Sequence, residues 1–546
     1  MNSQTWRTGS LRIVKDRATE KCRVPFARNS LFGCFAQKVP DTFLSLIPKL
    51  LVASTIHLLL NFSVANAQFV SEPLAEEAPP SIEQLQQQLD EQARTLGELR
   101  QRLDEAEGFY GLQPNRANES CTPGMIERVP LVAELPAEAE CDTAASSSDS
   151  KQLNYFVDYD DGWLLRPFDR KKFPFEIKLN GWIQFRHHGF VRRAESWTDN
   201  AGVTRRIPNR NAFDIERARL SFSGHAVDPR LSYFLQLDGD TDGGHTVDFF
   251  DYWWAWQLTD RFQIQMGKRK VPASQQWLLG ARRTRFIDRP MANDFFRPDR
   301  TVGIFGVGQF AKHGHYEWMV GNGYRTANLP NGNTDNRFTF AATSYIDPAG
   351  DFGGQIVDFD GAARPLWRIG QSVVYSPQTA DQPGVPLEES DFLRLADGTR
   401  LTQTGALSPG VTVSEFDLWF YGVDVLWKHR GWSVTSEVFL RWIHELGADG
   451  ALPIDDLFQH GGYVEGGRFL IPQTLDLNLR YSRVAGDFGA SNEIAGGFNW
   501  YPLAKPQVKV SFDITHLDDS PLQNTTSDIL AGDDGFLFRS QFQAEF

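Results

Sequence analysis

Phe536-Leu537-Phe538-Arg539-Ser540-Gln541-Phe542-Gln543-Ala544-Glu545-Phe546 ends the chain. Phe538, Phe542 and Phe546 share one face of an extended strand, because successive side chains point to opposite sides, and the strand stops on an aromatic residue. A β-strand reaching the last residue suits a closed sheet. In hydrocarbon an unpaired edge would leave backbone groups unsatisfied, so a membrane-spanning sheet must close on itself.

The same period of two recurs upstream. Ile177, Leu179, Ile183 and Phe185 alternate with Lys178, Asn180, Trp182, Gln184 and Arg186. Phe262, Ile264 and Met266 alternate with Arg261, Gln263 and Gln265, and Leu475, Leu477, Leu479 and Tyr481 with Asp476, Asn478 and Arg480. Val508, Val510 and Phe512 alternate with Gln507, Lys509 and Ser511. A soluble sandwich turns the apolar face into its core, whereas a transmembrane barrel turns it to lipid. Aromatics near strand ends, such as Tyr252-Trp253-Trp254, Trp427, Trp432, Trp442 and Trp500-Tyr501, fit the interfacial girdles of the second arrangement. The terminal strand resembles the assembly signal of bacterial outer-membrane barrels, which makes Phe546 a contact for the barrel-assembly machinery. The expected fold is all-β: a transmembrane antiparallel barrel of about 16 strands with longer polar loops on one side and a short N-terminal periplasmic coiled-coil helix.

Composition agrees. Among 546 residues stand 41 Phe, 15 Trp, 13 Tyr and 46 Gly, with only 5 Met and 4 Cys, which excludes a disulfide scaffold and a disordered chain. Leu50 to Leu60 is apolar behind Lys49 and is followed by Ala65-Asn66-Ala67, a secretory signal cleaved before Gln68. Residues 1–67 are therefore read as an N-terminal extension and signal peptide. The formal charge is −14, and the discarded segment has nine basic and three acidic side chains, so the exported chain is near −20. Most of that acid lies between Gln68 and Leu165, and nucleic acid is not an expected partner.

Residues 68–110 form an acidic spacer and a helix capped by Ser81 and Gln84. Its seam is Ile82, Leu85, Leu89, Gln92, Leu96, Leu99, Leu103 and Ala106. Residues 111–165, rich in Pro, Ala, Ser and Glu, read as a flexible linker, and Cys121 and Cys141 within it are either a disulfide or two thiols. Residues 166–546 are the barrel.

The densest basic cluster spans Lys268, Arg269, Lys270, Arg282, Arg283, Arg285, Arg289, Arg297 and Arg300, against Asp288, Asp294 and Asp299. It is read as a long loop between a strand ending at Met266 and one starting at Thr301. Arg and Lys inside a pore favour anions, and guanidinium forks match phosphate oxygens. Arg217 and Arg219 lie on the polar face of their strand and extend the set.

Four segments carry a family resemblance: Phe213-Asp214-Ile215-Glu216-Arg217-Ala218-Arg219-Leu220, Asp251-Tyr252-Trp253-Trp254, Met266-Gly267-Lys268-Arg269-Lys270-Val271-Pro272 and Phe286-Ile287-Asp288-Arg289-Pro290. They resemble successive motifs of the phosphate-selective porin O and P family. The resemblance implies a homotrimer of 16-stranded barrels whose third long loop narrows the lumen, an arginine ladder, and passive passage of small anions such as phosphate or polyphosphate. Arg282, Arg283, Arg285 and Arg289 become the constriction candidates. The implied location is the bacterial outer membrane, among its lipids, with the stalk in the periplasm.

Asp238-Gly239-Asp240-Thr241-Asp242-Gly243 imitates a calcium loop, but Phe249 replaces the final Glu, so it reads as a turn. His187-His188 and His313 with His315 read as structural, since strand neighbours face opposite ways and no third ligand is visible. No cofactor or metal is expected, and no catalytic motif appears. The alternatives are an envelope tether acting through the stalk, a non-selective general porin, and a soluble aromatic-rich β-protein.

Overall fold

The computed structural model describes residues 155–169, 174–241, 247–326, 334–335, 337–380 and 392–546. The signal, the heptad helix, most of the linker and both exported cysteines lie outside them.

Eighteen strands form one antiparallel sheet. β1 (Tyr155–Tyr159) and β2 (Trp163–Pro167) make a hairpin. The other sixteen barrel strands begin with β3 (Glu176–Arg192). Two short strands in the first loop, β4 (Ser196–Thr198) and β5 (Thr204–Arg206), pair only with each other. Then come β6 (Arg210–Ala226), β7 (Asp228–Asp238), β8 (Asp248–Thr259), β9 (Phe262–Lys270), β10 (Arg300–Phe310), β11 (Gly314–Gly321) and β12 (Thr339–Ile346). The rest are β13 (Leu366–Thr379), β14 (Val413–His429), β15 (Trp432–Ala448), β16 (Leu457–Ile471), β17 (Leu475–Gly486), β18 (Gly489–Trp500), β19 (Val508–Asp518) and β20 (Gly535–Glu545). Each pairs with the next, and β20 returns to β3 from Gly535↔Arg192 to Glu545↔Trp182, closing the barrel. Among the described residues the sixteen-strand ring thus closes without an unpaired strand, as hydrocarbon requires.

The pleat is inside-out relative to a soluble protein. Leu479 is 73% exposed on the outer surface while its neighbour Arg480 is 2% exposed inside, and Leu477, Ile494, Phe498 and Phe538 repeat the outward pattern. Lumen-facing positions include Glu437, Glu465, Asn478, Arg480, Glu493 and Asp513, all buried. An apolar exterior round a polar interior is the distribution lipid selects, and it removes the soluble alternative.

Two sequence readings are corrected. The linker stops short of residue 165, because Tyr155-Phe156-Val157 and Trp163-Leu164-Leu165 flank an Asp161-Gly162 turn and pair across it, and β2 continues onto the edge of β3. Long connections are also not confined to one end. Residues 347–365, at the end that otherwise carries short turns, fold inward and bury Phe352, Ile356, Val357 and Phe359 against Leu426, Phe469 and Tyr501.

Candidate functional site

Residues 271–299 leave β9 and return to the adjacent β10, yet they do not stay outside. The loop holds helix α1 (Gln275–Leu278), capped by Ser274, whose hydroxyl accepts from the Trp277 N–H, and helix α2 (Met291–Phe296), which starts behind Pro290. Its backbone polar groups need partners wherever water is excluded, and the wall supplies them. The N–H groups of Gln275 and Gln276 donate to Glu437 on β15 at 3.1 and 2.7 Å. Ile287 N–H donates to Asp513 on β19, Met291 N–H to Glu493 on β18, and Ala292 N–H to Ser482 on β17. In the other direction, Lys509 donates to the Thr284 carbonyl, Arg480 to that of Asp288 and Arg441 to that of Phe295. The loop thus crosses the lumen, and inward-facing acids and bases from much of the wall hold it.

Apolar packing completes the plug. Met291, Ala292, Phe295 and Phe296 join one core with Phe439, Tyr463 and Tyr324, and Leu393, Leu395 and Leu401 reach the same core from the loop between β13 and β14. Leu279 meets the inward-folded segment 347–365 from the other end. Trp277 gathers four cations over its ring, Arg297 at 4.1 Å, Lys270 at 4.6 Å, Arg289 at 5.1 Å and Arg300 at 5.3 Å. Such contacts each stabilise by about 0.5–2 kcal/mol, more where water is excluded.

The expected basic residues separate into three groups. Lys268, Arg269 and Lys270 lie on β9 and Arg300 on β10, so the basic loop read from the sequence is shorter than expected. The strands run on because Arg300 pairs with Lys270 and Val302 with Lys268. Arg269 contacts Glu317, Arg300 the Asp251 carboxylate at 2.9 Å, and Lys268 approaches Asp248 at 4.0 Å. Lys270 donates to the Trp277 and Leu279 carbonyls.

A second group is spent on the loop and the wall. Arg217 contacts Asp288 at 3.2 Å and Arg219 contacts Asp238 at 2.6 Å, which also occupies the first carboxylate of the calcium-like turn. Arg285 donates to Asn478 and Ser433 and lies 3.9 Å from Glu465. Arg289 donates to the Gln276 and Leu279 carbonyls, and Arg297 pairs with Asp294 at 2.8 Å. Burial by itself would raise the Asp288 carboxyl. Arg217 and Arg186, with Arg289 and Arg539 behind them, outweigh burial and hold it well below the ordinary carboxylate range. Asp299 is likewise pulled down to about 2, against desolvation, by Arg297, Arg325 and Arg300.

Arg282 and Arg283 form the third group. Both reach Glu545, at 2.7 and 3.2 Å, and their side chains keep 33% and 24% of their surface exposed. Two guanidinium groups thus share one carboxylate beside water.

Sequence reading did not single out Arg186, Arg441 and Arg539 as site residues, nor Arg480 and Lys509. All five are buried and face inward. A signal was present, since each occupies the polar parity of an alternating strand.

Residues 186–344 match the family model described as phosphate-selective porin O and P, so the resemblance carried by the four motifs holds over that stretch. No curated protein matches the chain. Among solved structures, the chain is similar to an anion-selective porin from Comamonas acidovorans at 10% identity and TM-score 0.45, covering 68% of this chain and 100% of that one. It is similar to Salmonella typhi OmpF in complex with daunomycin at 11% identity and TM-score 0.44, over 72% of this chain and 100% of that one. It is also similar to the outer-membrane channel DcaP of Acinetobacter baumannii at 10% identity and TM-score 0.43, over 68% of this chain and 97% of that one.

Proposed function

We propose that the chain is a bacterial outer-membrane porin, a channel rather than an enzyme, through which small anions diffuse passively. The observation that carries the proposal is the pairing of Arg282 and Arg283 on the single carboxylate of Glu545, at the water-accessible part of a loop inside a closed barrel. The family match over residues 186–344 points the same way.

Mechanistically, Glu545 neutralises one of the two guanidinium charges and leaves the other to attract an anion. Lys509 adds a further cation close by, tied to the Thr284 carbonyl. The planar forks replace part of the anion's hydration, with two N–H groups matched to two oxygens. Release stays fast because the ion is shared among weak sites and trapped in none. Phosphate and polyphosphate are the substrates this chemistry suits best. Assembly as a homotrimer in outer-membrane lipid, with Phe546 read by the barrel-assembly machinery, belongs to the same proposal.

A general, non-selective porin is the second reading. It is favoured by the wall carboxylates Glu317, Asp513 and Glu493, which pair with Arg269, Arg539 and Arg480 and offset their charge. Chloride current through the purified protein in a planar bilayer, titrated with phosphate, separates them. The proposal expects phosphate to reduce the chloride current in a saturable way. A current indifferent to phosphate supports the general porin.

A further inference from the structure

His188 lies on the inward face of β3, opposite in direction to His187, whose ring packs outside on Phe213. Its Nδ1 stands 3.0 Å from Asp214 Oδ2 on β6 and 3.0 Å from Asp528 Oδ1 in the loop between β19 and β20. The three ligand atoms all lie within 4.8 Å of one another. A tetrahedral zinc site with metal–ligand distances of about 2.0–2.2 Å places its ligands roughly 3.4 Å apart, and the two 3.0 Å spacings to His188 lie near that value.

His188 meets two carboxylates, Asp214 and Asp528, and Arg186 links Asp528 to Glu216 and Asp288. Arg186 and Arg217 lie nearest these acids, at 3.2–3.5 Å from Glu216, Asp288 and Asp528. Arg539 also acts on Asp288 and Asp528 from further away. A bulge opposite Gln184 and Phe185 turns Glu216 inward beside Arg217. The Asp214 side chain is only 10% exposed, and its Oδ1 has no hydrogen-bond partner. A buried acceptor without a partner costs about 1–3 kcal/mol, more when charged, unless a further group meets it. Asp528 uses Oδ2 on Arg186, which leaves Oδ1 directed at the imidazole.

We infer that His188, Asp214 and Asp528 form a binding site for one divalent transition-metal cation of the zinc type. One imidazole nitrogen and two carboxylates are a ligand set such ions accept, with a fourth position for water. The ion takes the place of a proton between His188 and the two carboxylates and ties the loop between β19 and β20 to β3 and β6. Arg186 contacts both Asp528 and Asp288, so the same cluster continues into the anchor of the lumen loop.

The test uses the full exported chain in detergent, stripped with EDTA, in a Cys121→Ser, Cys141→Ser background so that those thiols bind nothing. Equilibrium dialysis against zinc chloride, followed by elemental analysis, is expected to give one zinc per chain. His188→Ala and Asp528→Asn are each expected to abolish it, and His187→Ala to leave it intact. Should those variants fail to fold, cobalt in the parent protein gives an independent readout, the visible absorption of a tetrahedral nitrogen–oxygen site. Binding unchanged by His188→Ala, or a parent protein with neither bound zinc nor that cobalt spectrum, overturns the proposal in favour of the bridging proton.

Discussion

Phe546 and Gly181 exchange both backbone hydrogen bonds, at 2.9 and 3.2 Å, and the phenyl ring lies across the space that any Gly181 side chain would occupy. The last residue is thereby fastened to the first barrel strand. Gly181→Val should push the ring off the outer surface and disturb closure, at an overpacking cost of about 1–3 kcal/mol. The measurement is the temperature at which the compact, fast-migrating form unfolds on a gel, expected to be lower for the variant and little changed by Gly466→Ala, where a Cβ meets ordinary contacts.

Arg186 faces Glu216, Asp288 and Asp528 at once. Removing it leaves buried carboxylates uncompensated, which typically costs about 3–5 kcal/mol. Arg186→Ala should therefore destabilise the barrel far more than Arg230→Ala, whose ion pair with Asp228 is exposed. Thermal unfolding of the two variants decides it.

The ionised state of Asp288 also fixes a pH response. Its folded carboxyl lies well below the value of about 3.9 expected in the unfolded chain. Its contribution is then fully present above about pH 4 and is lost only as pH falls through the lower folded value. Asp288→Asn should change the single-channel conductance by the same amount at every pH from 7 to about 4, and a conductance step in that range that is present in the wild type and lost in the variant would count against this anchor.

The four cations over Trp277 make the indole the centre of the loop's fixing point. Trp277→Ala should release Arg297, Lys270, Arg289 and Arg300 together, at a cost of about 3–5 kcal/mol for the truncation alone. The expected outcome is a larger and noisier single-channel current, with the loop newly open to protease between Gly280 and Thr284. Phe359→Ala, on the segment that meets Leu279 from the other end, should enlarge the current without exposing that cleavage site.

The barrel was legible because its signal is local. Leu475 to Tyr481 states the pleat residue by residue, and the terminal Phe546 states closure. The lumen loop was legible as a basic stretch with motifs, but its electrostatics were not. Glu437, Glu493, Asp513 and Glu545, which hold the loop or offset its charge, lie about 160 to 260 residues from the positions they contact. Read alone, residues 268–300 show excess positive charge, whereas in the barrel only Arg282 and Arg283 keep substantial access to water. The β1–β2 hairpin escaped because a short acidic turn, Asp160-Asp161-Gly162, sits inside a longer acidic segment. His188, Asp214 and Asp528 could not be grouped from spacing, since barrel closure and a distant loop bring them together.

The central claim is that accessible arginines on the lumen loop set ion preference, and the reversal potential under a potassium chloride gradient tests it most directly. The wild-type protein should favour chloride, and Arg282→Gln with Arg283→Gln should move the reversal potential toward zero or into cation preference, because Glu545 then stands unopposed by both. An identical reversal potential in wild type and double variant would contradict the account.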